Sequence, residues 1–199
     1  MKERVCLIAG VGPGTGMECA QRFALGGYRV AMLARDKDRL TTLETTIKGT
    51  RGYVCDVSNL DQLVETTERV ATEMGPPSVV IHNAVSGILD GGGASKFLES
   101  DPTRLERNFR VNTTSLLYLA RATAPAMIEE GEGAIIVTGN TSSLRGKANF
   151  AYFAPTKAAQ RILAEAMARD LGPKGVHVAY LLIDASIDTP RTRPLFAAD

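Results

Sequence analysis

Residues 5–27 read VCLIAGVGPGTGMECAQRFALGG, and this stretch decides the fold predicted for the chain. The apolar run at 5–9 predicts a buried strand, and the pattern at 17–25 predicts a helix. Between them lie glycines at positions 10, 12, 14 and 16. A glycine-rich turn leaves bare backbone N–H groups at a helix N-terminus, where those groups and the helix dipole bind phosphate. The stretch therefore predicts a strand, a phosphate-binding turn and a helix.

The composition is that of one globular domain without a strongly charged partner. The chain has 199 residues, of which 44% are hydrophobic, and its 23 basic side chains nearly balance 22 acidic ones. That length allows a substantial core, and the near-neutral charge argues against nucleic acid or an anionic membrane as a partner. Because no apolar run spans a bilayer and no signal-peptide core follows the first residues, we expect a cytoplasmic protein without a membrane partner.

Cysteine and histidine give no indication of a metal site. Cys6, Cys19 and Cys55 lack the spacing of metal ligands and lie in apolar or helical runs, which is typical of small buried residues. Neither His82 nor His177 has a cysteine, a glutamate or a second histidine close by in the sequence. We therefore expect no metal.

The rest of the chain alternates predicted strands and helices. Strands are predicted at 28–34, 52–56, 79–82, 134–138 and 176–183, and helices at 36–47, 59–74, 101–130 and 150–171. The strands are almost continuously apolar, as in a parallel sheet covered on both faces. The sequence therefore predicts an α/β fold in one domain over residues 1–199. Its core is a doubly wound parallel sheet of about six strands with helices on both faces.

Four motifs lie at the strand ends and in the long helix. The glycines after the first strand have the spacing G-x-x-x-G-x-G, the third strand ends in Asp-Val, and the fourth ends in His-Asn-Ala-Val. The segment FRVNTTS puts an asparagine in the middle of the long helix. Together these motifs resemble those of the short-chain dehydrogenase/reductase family. The resemblance implies a Rossmann-type fold and a nicotinamide dinucleotide as cofactor. It assigns a catalytic role to Asn112, and cofactor binding to Gly10, Gly14, Thr15, Gly16, Asp56, Val57, Asn83 and Ala84.

The end of the second strand favours one of the two nicotinamide cofactors. It reads Ala34-Arg35. A site for NAD(H) usually has a carboxylate here that accepts hydrogen bonds from the ribose, whereas a neutral residue followed by arginine suits a 2′-phosphate. We therefore expect NADP(H) in preference to NAD(H), with Arg35 as a ligand. The alternative is an ordinary surface arginine in the charged run RDKDR.

The residue expected to transfer a proton is replaced. In the family a tyrosine exchanges a proton with the substrate oxygen, and a lysine four residues later lowers the tyrosine pKa and holds the cofactor ribose. Lys157 matches that lysine, but four residues before it stands Phe153, which has no proton to exchange. Tyr152 is adjacent, yet one helical residue turns a side chain by roughly 100°. Irregular backbone before Pro155 would lessen that difference.

The residue that polarises the carbonyl has two candidates. The family has a serine after the fifth strand, and plain spacing from Phe153 gives Asn140, whose amide can donate to a developing oxyanion. By pattern, Ser142 in a Ser-Ser pair resembles the family's serines. The family-matched catalytic positions are therefore Asn112 and Lys157, and the further candidates are Tyr152, Asn140 and Ser142.

The tail keeps part of the family pattern. Ile187 and Thr189 match residues that close over the nicotinamide and the phosphates, whereas Asp184-Ala185 replaces Pro-Gly. The chain ends at Asp199, while family members continue through a substrate-covering segment and a further strand. If the sequence is complete, we expect that lid and that strand to be absent; the alternative, and the simpler explanation, is that the sequence is truncated or that a disordered terminus follows it.

Two functions fit these residues. The first is an NADP(H)-dependent oxidoreductase that transfers a hydride between the nicotinamide and a small carbonyl or alcohol. The alternative is a catalytically silent NADP(H)-binding module, a sensor or assembly partner, which Phe153 and Asn140 favour. The resemblance further implies a homodimer or homotetramer formed through the helices at 101–130 and 150–171.

Overall fold

The computed structural model describes residues 3–87, 97–190 and 192–193. Within these ranges the strands are β1 Val5–Ala9, β2 Arg29–Ala34, β3 Thr50–Val54, β4 Val79–His82, β5 Gly133–Asn140 and β6 Val176–Ile183. The helices are α1 Thr15–Leu25, α2 Lys37–Thr46, α3 Leu60–Met74, α4 Thr103–Phe109, α5 Ser115–Glu130 and α6 Ala154–Leu171. A π-helical turn, Arg110–Thr114, joins α4 to α5.

The strands form one parallel sheet in the order β3-β2-β1-β4-β5-β6. The chain builds outward from β1 to β3 and then returns to place β4 on the other side of β1. Strand order therefore reverses between β1 and β4, and a crevice opens beyond their carboxyl ends. Ala9 pairs with Leu33 on one side and with His82 on the other, so the residues that follow β1 and β4 lie next to each other.

Both faces of the sheet are covered, which explains the continuous apolar character of the strands. Leu7 and Ile8 are consecutive and point to opposite faces, yet both are fully buried. Leu7 belongs to a core cluster that includes residues of α3, α5 and α6. Ile8 belongs to a second cluster with Ala20 of α1 and Leu40 of α2. The predicted fold class is confirmed.

The long helix predicted at 101–130 is interrupted by the π-helical turn. Asn112 lies in that turn, and its fully buried side chain bonds to the Ser86 backbone and to Thr156 instead of competing with its own helix. A π-helical turn accommodates one extra residue and is frequent at functional sites. The asparagine that resembles the family's catalytic residue therefore marks the one turn of this helical segment that departs from α-helical geometry.

Other element boundaries differ by a few residues. β3 begins at Thr50 rather than at 52, β5 continues to Asn140, and α6 begins at Ala154 rather than at 150. The α6 difference follows from Pro155, which suits the first turn of a helix because it has no N–H to donate. The loop predicted at 83–100 contains residues 88–96, which lie outside the described residues.

The N-cap of α3 gives a direct test of the fold. Asn59 accepts a hydrogen bond from the Gln62 N–H at 3.1 Å, as its position before the helix predicts. Asn59→Ala should lower the free energy of unfolding by about 1 kcal/mol, measured by urea denaturation, because a first-turn donor loses its partner. Asn59→Ser retains a capping oxygen and should lose less. Equal losses in the two variants would contradict the capping role.

Candidate active site

A cavity of about 920 Å³ lies in the crevice beyond the carboxyl ends of β1, β2 and β4. One wall is the glycine turn after β1, and the others are formed by the residues that follow β2, β3 and β4 and by the tail after β6. The cavity is lined by eleven of the twelve predicted cofactor-binding residues: Gly10, Gly14, Thr15, Gly16, Arg35, Asp56, Val57, Asn83, Ala84, Ile187 and Thr189. The twelfth, Lys157, is not among the described lining residues.

Glycine is required at several positions of the turn. Gly10 has φ +98°, and a Cβ there would lie 2.5 Å from the Ala84 backbone nitrogen. A Cβ at Gly16 would lie 2.5 Å from the Gly10 carbonyl oxygen, and one at Gly14 would lie 2.7 Å from the Thr189 side chain. The turn therefore closes tightly against β4 and the tail. Gly12 differs, because a Cβ there meets no atom within 4 Å.

The N-terminus of α1 opens onto this cavity. Gly14 is its N-cap, and no side chain caps the helix. The first helical residues, Thr15 and Gly16, line the cavity. Bare N–H groups at the positive end of a helix bind phosphate. The turn, the helix end and the volume therefore fit the pyrophosphate of a dinucleotide.

The charged residues after β2 separate into a pair and a neighbouring arginine. Asp36 caps α2 by accepting from the Arg39 N–H at 2.9 Å, and its carboxylate also forms a salt bridge with the Arg39 guanidinium. Arg35, Asp36 and Arg39 all line the cavity. The only carboxylate directly after β2 is thus engaged by Arg39, which leaves this end of the cavity basic. Arg39 was not predicted from the sequence, although its spacing of three from an N-cap aspartate indicates this position.

Asn83 holds the strand ends together. Its Nδ2 donates to the Gly10 carbonyl at 2.7 Å, and its Oδ1 accepts from the Thr138 hydroxyl at 2.9 Å. The Asn83 amide therefore bridges the ends of β1, β4 and β5. Asp56, after β3, accepts from both the N–H and the hydroxyl of Ser58. Both side chains line the cavity while already having partners in the protein.

At the opposite end of the cavity the lining includes Asn140 and Phe153. Asn140 ends β5, and its Oδ1 accepts from the Ser142 N–H at 3.1 Å. Its two amide hydrogens are the donors that it can offer to a ligand. Phe153 has an exposed fraction of 2% and contributes an aromatic hydrocarbon to the lining. This end of the cavity therefore has a hydrogen-bond donor but no ionisable hydroxyl at position 153.

The structure does not bring Tyr152 or Ser142 to the cavity. The Tyr152 hydroxyl donates to the backbone carbonyls of Phe97, at 2.9 Å, and Ser100, at 3.2 Å. Tyr152 precedes the first residue of α6, and its side chain points toward the segment before α4. Ser142 lines a separate, smaller cavity with Leu144. The geometry therefore gives no support to the predicted catalytic roles of Tyr152 and Ser142.

The Lys157 ammonium lies behind the cavity. It donates to the Thr138 carbonyl at 3.0 Å and to the Gln160 side-chain oxygen. The residue has an exposed fraction of 2%, and burial lowers the pKa of Lys157 to about 7. The side chain of Lys157 thus already has two protein acceptors, and its predicted contact with a cofactor ribose stays a prediction.

Two functional candidates were missed by the sequence reasoning. His82 is fully buried, with Nε2 2.7 Å from the Ser115 hydroxyl and Nδ1 3.2 Å from Gln160 Nε2. Burial and the nearby Lys157 charge lower the pKa of His82 to about 3, so the imidazole is neutral. Gln160 is also fully buried. In the sequence, Gln160 could have been found as a polar residue three positions after Lys157, on the same face of α6.

Comparison with known proteins identifies the family. The model of the short chain dehydrogenases matches residues 4–198. The chain belongs to this family. D-erythrulose reductase of Gallus gallus is 30% identical over 176 residues, which are 88% of this chain and 68% of that protein. Members of the family are oxidoreductases that bind nicotinamide cofactors, so the recognition made from the glycine spacing is confirmed.

Solved structures show the same fold. A short-chain dehydrogenase from Rhodopseudomonas palustris is 29% identical, with a TM-score of 0.83, and the match covers 99% of this chain and 90% of that one. A gluconate 5-dehydrogenase from Burkholderia cenocepacia, in complex with NADP and tartrate, is 25% identical, with a TM-score of 0.86. That match covers 100% of this chain and 77% of that one.

Several expectations stay predictions. In the described part of the chain, no helix combines the length and the apolar character that crossing a bilayer requires. The same residues contain no group of three or more histidine, cysteine, aspartate or glutamate side chains placed to hold a metal ion. Cytoplasmic location, single-domain organisation and the homo-oligomer stay predictions.

The buried histidine predicts a pH dependence of stability. The pKa of His82 is about 3 in the folded protein and near its ordinary value of 6.5 when unfolded. Between these values the unfolded chain binds more protons, so the free energy of unfolding falls as the pH falls from 6.5 to 3, by at most about 1.4 kcal/mol per pH unit. The loss should be smaller in His82→Asn, measured by urea denaturation at several pH values.

The control for this prediction is the exposed histidine. His177→Asn changes the same residue type at an exposed position of β6 and should keep the wild-type pH dependence. An identical pH dependence in the wild type and in both variants would contradict the assignment to His82.

Proposed function

We propose that the chain binds NADP(H) in this cavity and is an oxidoreductase that transfers a hydride between the nicotinamide and a small carbonyl or alcohol. The observation that carries the proposal is the glycine turn, which closes against Ala84 and opens the N-terminus of α1 onto a cavity of dinucleotide size. When bound, the cofactor supplies the hydride. The protein supplies binding, orientation and hydrogen bonds.

The preference for NADP(H) is supported by the residues after β2. The carboxylate of Asp36 caps α2 and forms an ion pair with the Arg39 guanidinium, so its negative charge is compensated within the protein. Arg35 then offers a planar guanidinium, which matches the geometry of a phosphate. The structure of the gluconate 5-dehydrogenase contains NADP, in agreement with this choice.

Asn140 and Phe153 line the end of the cavity where the substrate would react, and they indicate that the proton does not come from residue 153. Asn140 has amide hydrogens to donate, and such a donor stabilises the negative charge that develops on a carbonyl oxygen during hydride transfer. Phe153 has no proton to give, and Tyr152 is engaged elsewhere. We therefore propose that Asn140 polarises the carbonyl and that water in the cavity supplies the proton.

The substrate class rests on the lining and on the relatives. Ser86, Ser186 and Val85 are small, uncharged lining residues, which suit a small neutral molecule. One relative is named for the reduction of D-erythrulose, which is a neutral hydroxyketone. A small polyol or hydroxyketone is therefore the substrate class that we propose.

A specific observation favours the second candidate, a silent NADP(H)-binding module. Phe153, which lines the cavity four residues before Lys157, has no proton to exchange, and the Lys157 ammonium bonds to Gln160 and Thr138. Such a protein would bind the cofactor without turnover and act as a sensor or an assembly partner. Binding alone does not separate the two candidates, so both binding and turnover must be measured.

Equilibrium titration with NADPH and with NADH, followed by the fluorescence of the reduced nicotinamide, tests the cofactor. NADPH should bind more tightly. Arg35→Ala should weaken the binding of NADPH by about ten- to a hundredfold and leave the binding of NADH nearly unchanged, because the lost contact is a charged hydrogen bond to the 2′-phosphate. Arg22→Ala, at the far end of α1, is the control and should change neither. Equal weakening of both cofactors by Arg35→Ala would contradict the assignment.

Turnover decides between the two functions. With NADPH bound, the oxidation of the cofactor is followed with a panel of small aldehydes, ketones and ketoses. The oxidoreductase predicts oxidation in proportion to the amount of protein, for at least one class of carbonyl. If bound NADPH is not oxidised by any of them, the oxidoreductase is excluded and the silent module is retained.

A further inference from the structure

A buried chain of hydrogen bonds lies behind the cavity and has no part in the proposed hydride transfer. It runs from the Lys157 ammonium through the Gln160 carboxamide to the His82 imidazole and on to the Ser115 hydroxyl. A branch joins Gln160 Nε2 to the Asn112 carbonyl at 2.5 Å. All five residues are buried. Buried polar groups without partners are costly, so the placement of each proton matters.

One placement of the protons satisfies the chain. The Ser115 hydroxyl donates its single hydrogen to the Val111 carbonyl at 2.6 Å. The same hydroxyl oxygen therefore accepts the hydrogen bond that joins it to His82 Nε2. His82 therefore has its proton on Nε2, and its Nδ1 accepts from Gln160. The two amide hydrogens of Gln160 are then used by His82 Nδ1 and the Asn112 carbonyl. The Gln160 oxygen remains, and it accepts from Lys157.

Gln160 has a role that no other member of this hydrogen-bond network has. It is the one member that contacts Lys157, His82 and Asn112 together. Its carboxamide has one acceptor and two donor hydrogens, which is the number that these three partners use. With Thr138 as its second acceptor, the Lys157 ammonium is held between α6 and β5, while Phe153, one turn earlier on α6, lines the cavity.

We infer that Gln160 is a positioning residue, whose carboxamide holds the Lys157 ammonium between α6 and β5 and donates to Nδ1 of His82, the nitrogen left without a proton because Nε2 donates to Ser115. The inference deepens the proposed function, because it concerns the lysine beside the same site. Its tests use neither cofactor nor substrate, so its failure is distinguishable from a failure of the proposed function.

Nitrogen NMR of the imidazole rings tests the proposed protonation of His82. The chain has two histidines, and His177→Asn assigns their signals. In the wild type we expect His82 to be neutral, with its proton on Nε2, from about pH 5 to pH 8, because it is buried and hydrogen-bonded at both nitrogens. A proton on Nδ1, or titration of His82 within that range, would overturn the inference without any Gln160 variant.

Two substitutions separate the two halves of the role. Gln160→Met removes the acceptor for Lys157 and both donors, and Gln160→Glu keeps an acceptor oxygen for Lys157 but offers no amide hydrogen. Both should shift the nitrogen signal of His82 Nδ1, because that atom loses its hydrogen-bond donor, while the proton stays on Nε2 opposite Ser115. The control, Gln21→Met on the exposed side of α1, should leave that signal unchanged.

The proposed contact between Gln160 and Lys157 is tested by the rate of acetylation at each lysine, measured on peptides by mass spectrometry. Lys157 should react at least about tenfold more slowly than exposed Lys174, because reaction requires local opening. Gln160→Met should remove most of that protection, whereas Gln160→Glu should keep it. Unchanged labelling and an unchanged His82 signal in both variants would overturn the inference.

Discussion

The close contact between the glycine turn and the end of β4 is the constraint on which the site depends. Gly10 has a positive φ and lies so close to the Ala84 backbone that any side chain would collide with it. The Asn83 amide then donates to the Gly10 carbonyl and joins the two strands at the point where strand order reverses. This contact orients α1, and the helix in turn directs its N-terminus into the cavity.

The fold and the cofactor end of the site were predictable because both depend on local patterns. Strands β1, β4 and β6 follow from apolar runs, and the glycine turn follows from the spacing of Gly10, Gly14 and Gly16. The π-helical turn and the direction of Lys157 were not predictable. Helical spacing puts Lys157 one turn after Phe153, but the partner of its ammonium is set by Gln160 and by Thr138 of another element. The hydrogen bonds of His82 were not predictable either, since its partners Ser115 and Gln160 are distant in sequence.

The two ends of the cavity differ in the groups that form their surfaces. At the cofactor end, backbone N–H groups and tight glycine contacts form the phosphate-binding turn, and the charged side chains after β2 lie beside it. At the reacting end the chemistry depends on side chains. There Phe153 offers no proton, Asn140 offers an amide, and the Lys157 ammonium bonds to the interior. Family membership therefore supports the fold and the cofactor end more strongly than it supports the reaction, because function resides in the site.

A crystal structure of the protein with NADP⁺ bound tests this account most directly. The account predicts the pyrophosphate on the turn of Gly10 to Gly16 and the 2′-phosphate beside Arg35. It also predicts that the Lys157 ammonium stays on Gln160 and the Thr138 carbonyl. A Lys157 ammonium turned to the nicotinamide ribose, with Gln160 released, would contradict the account and restore the lysine to the role that the sequence resemblance gave it.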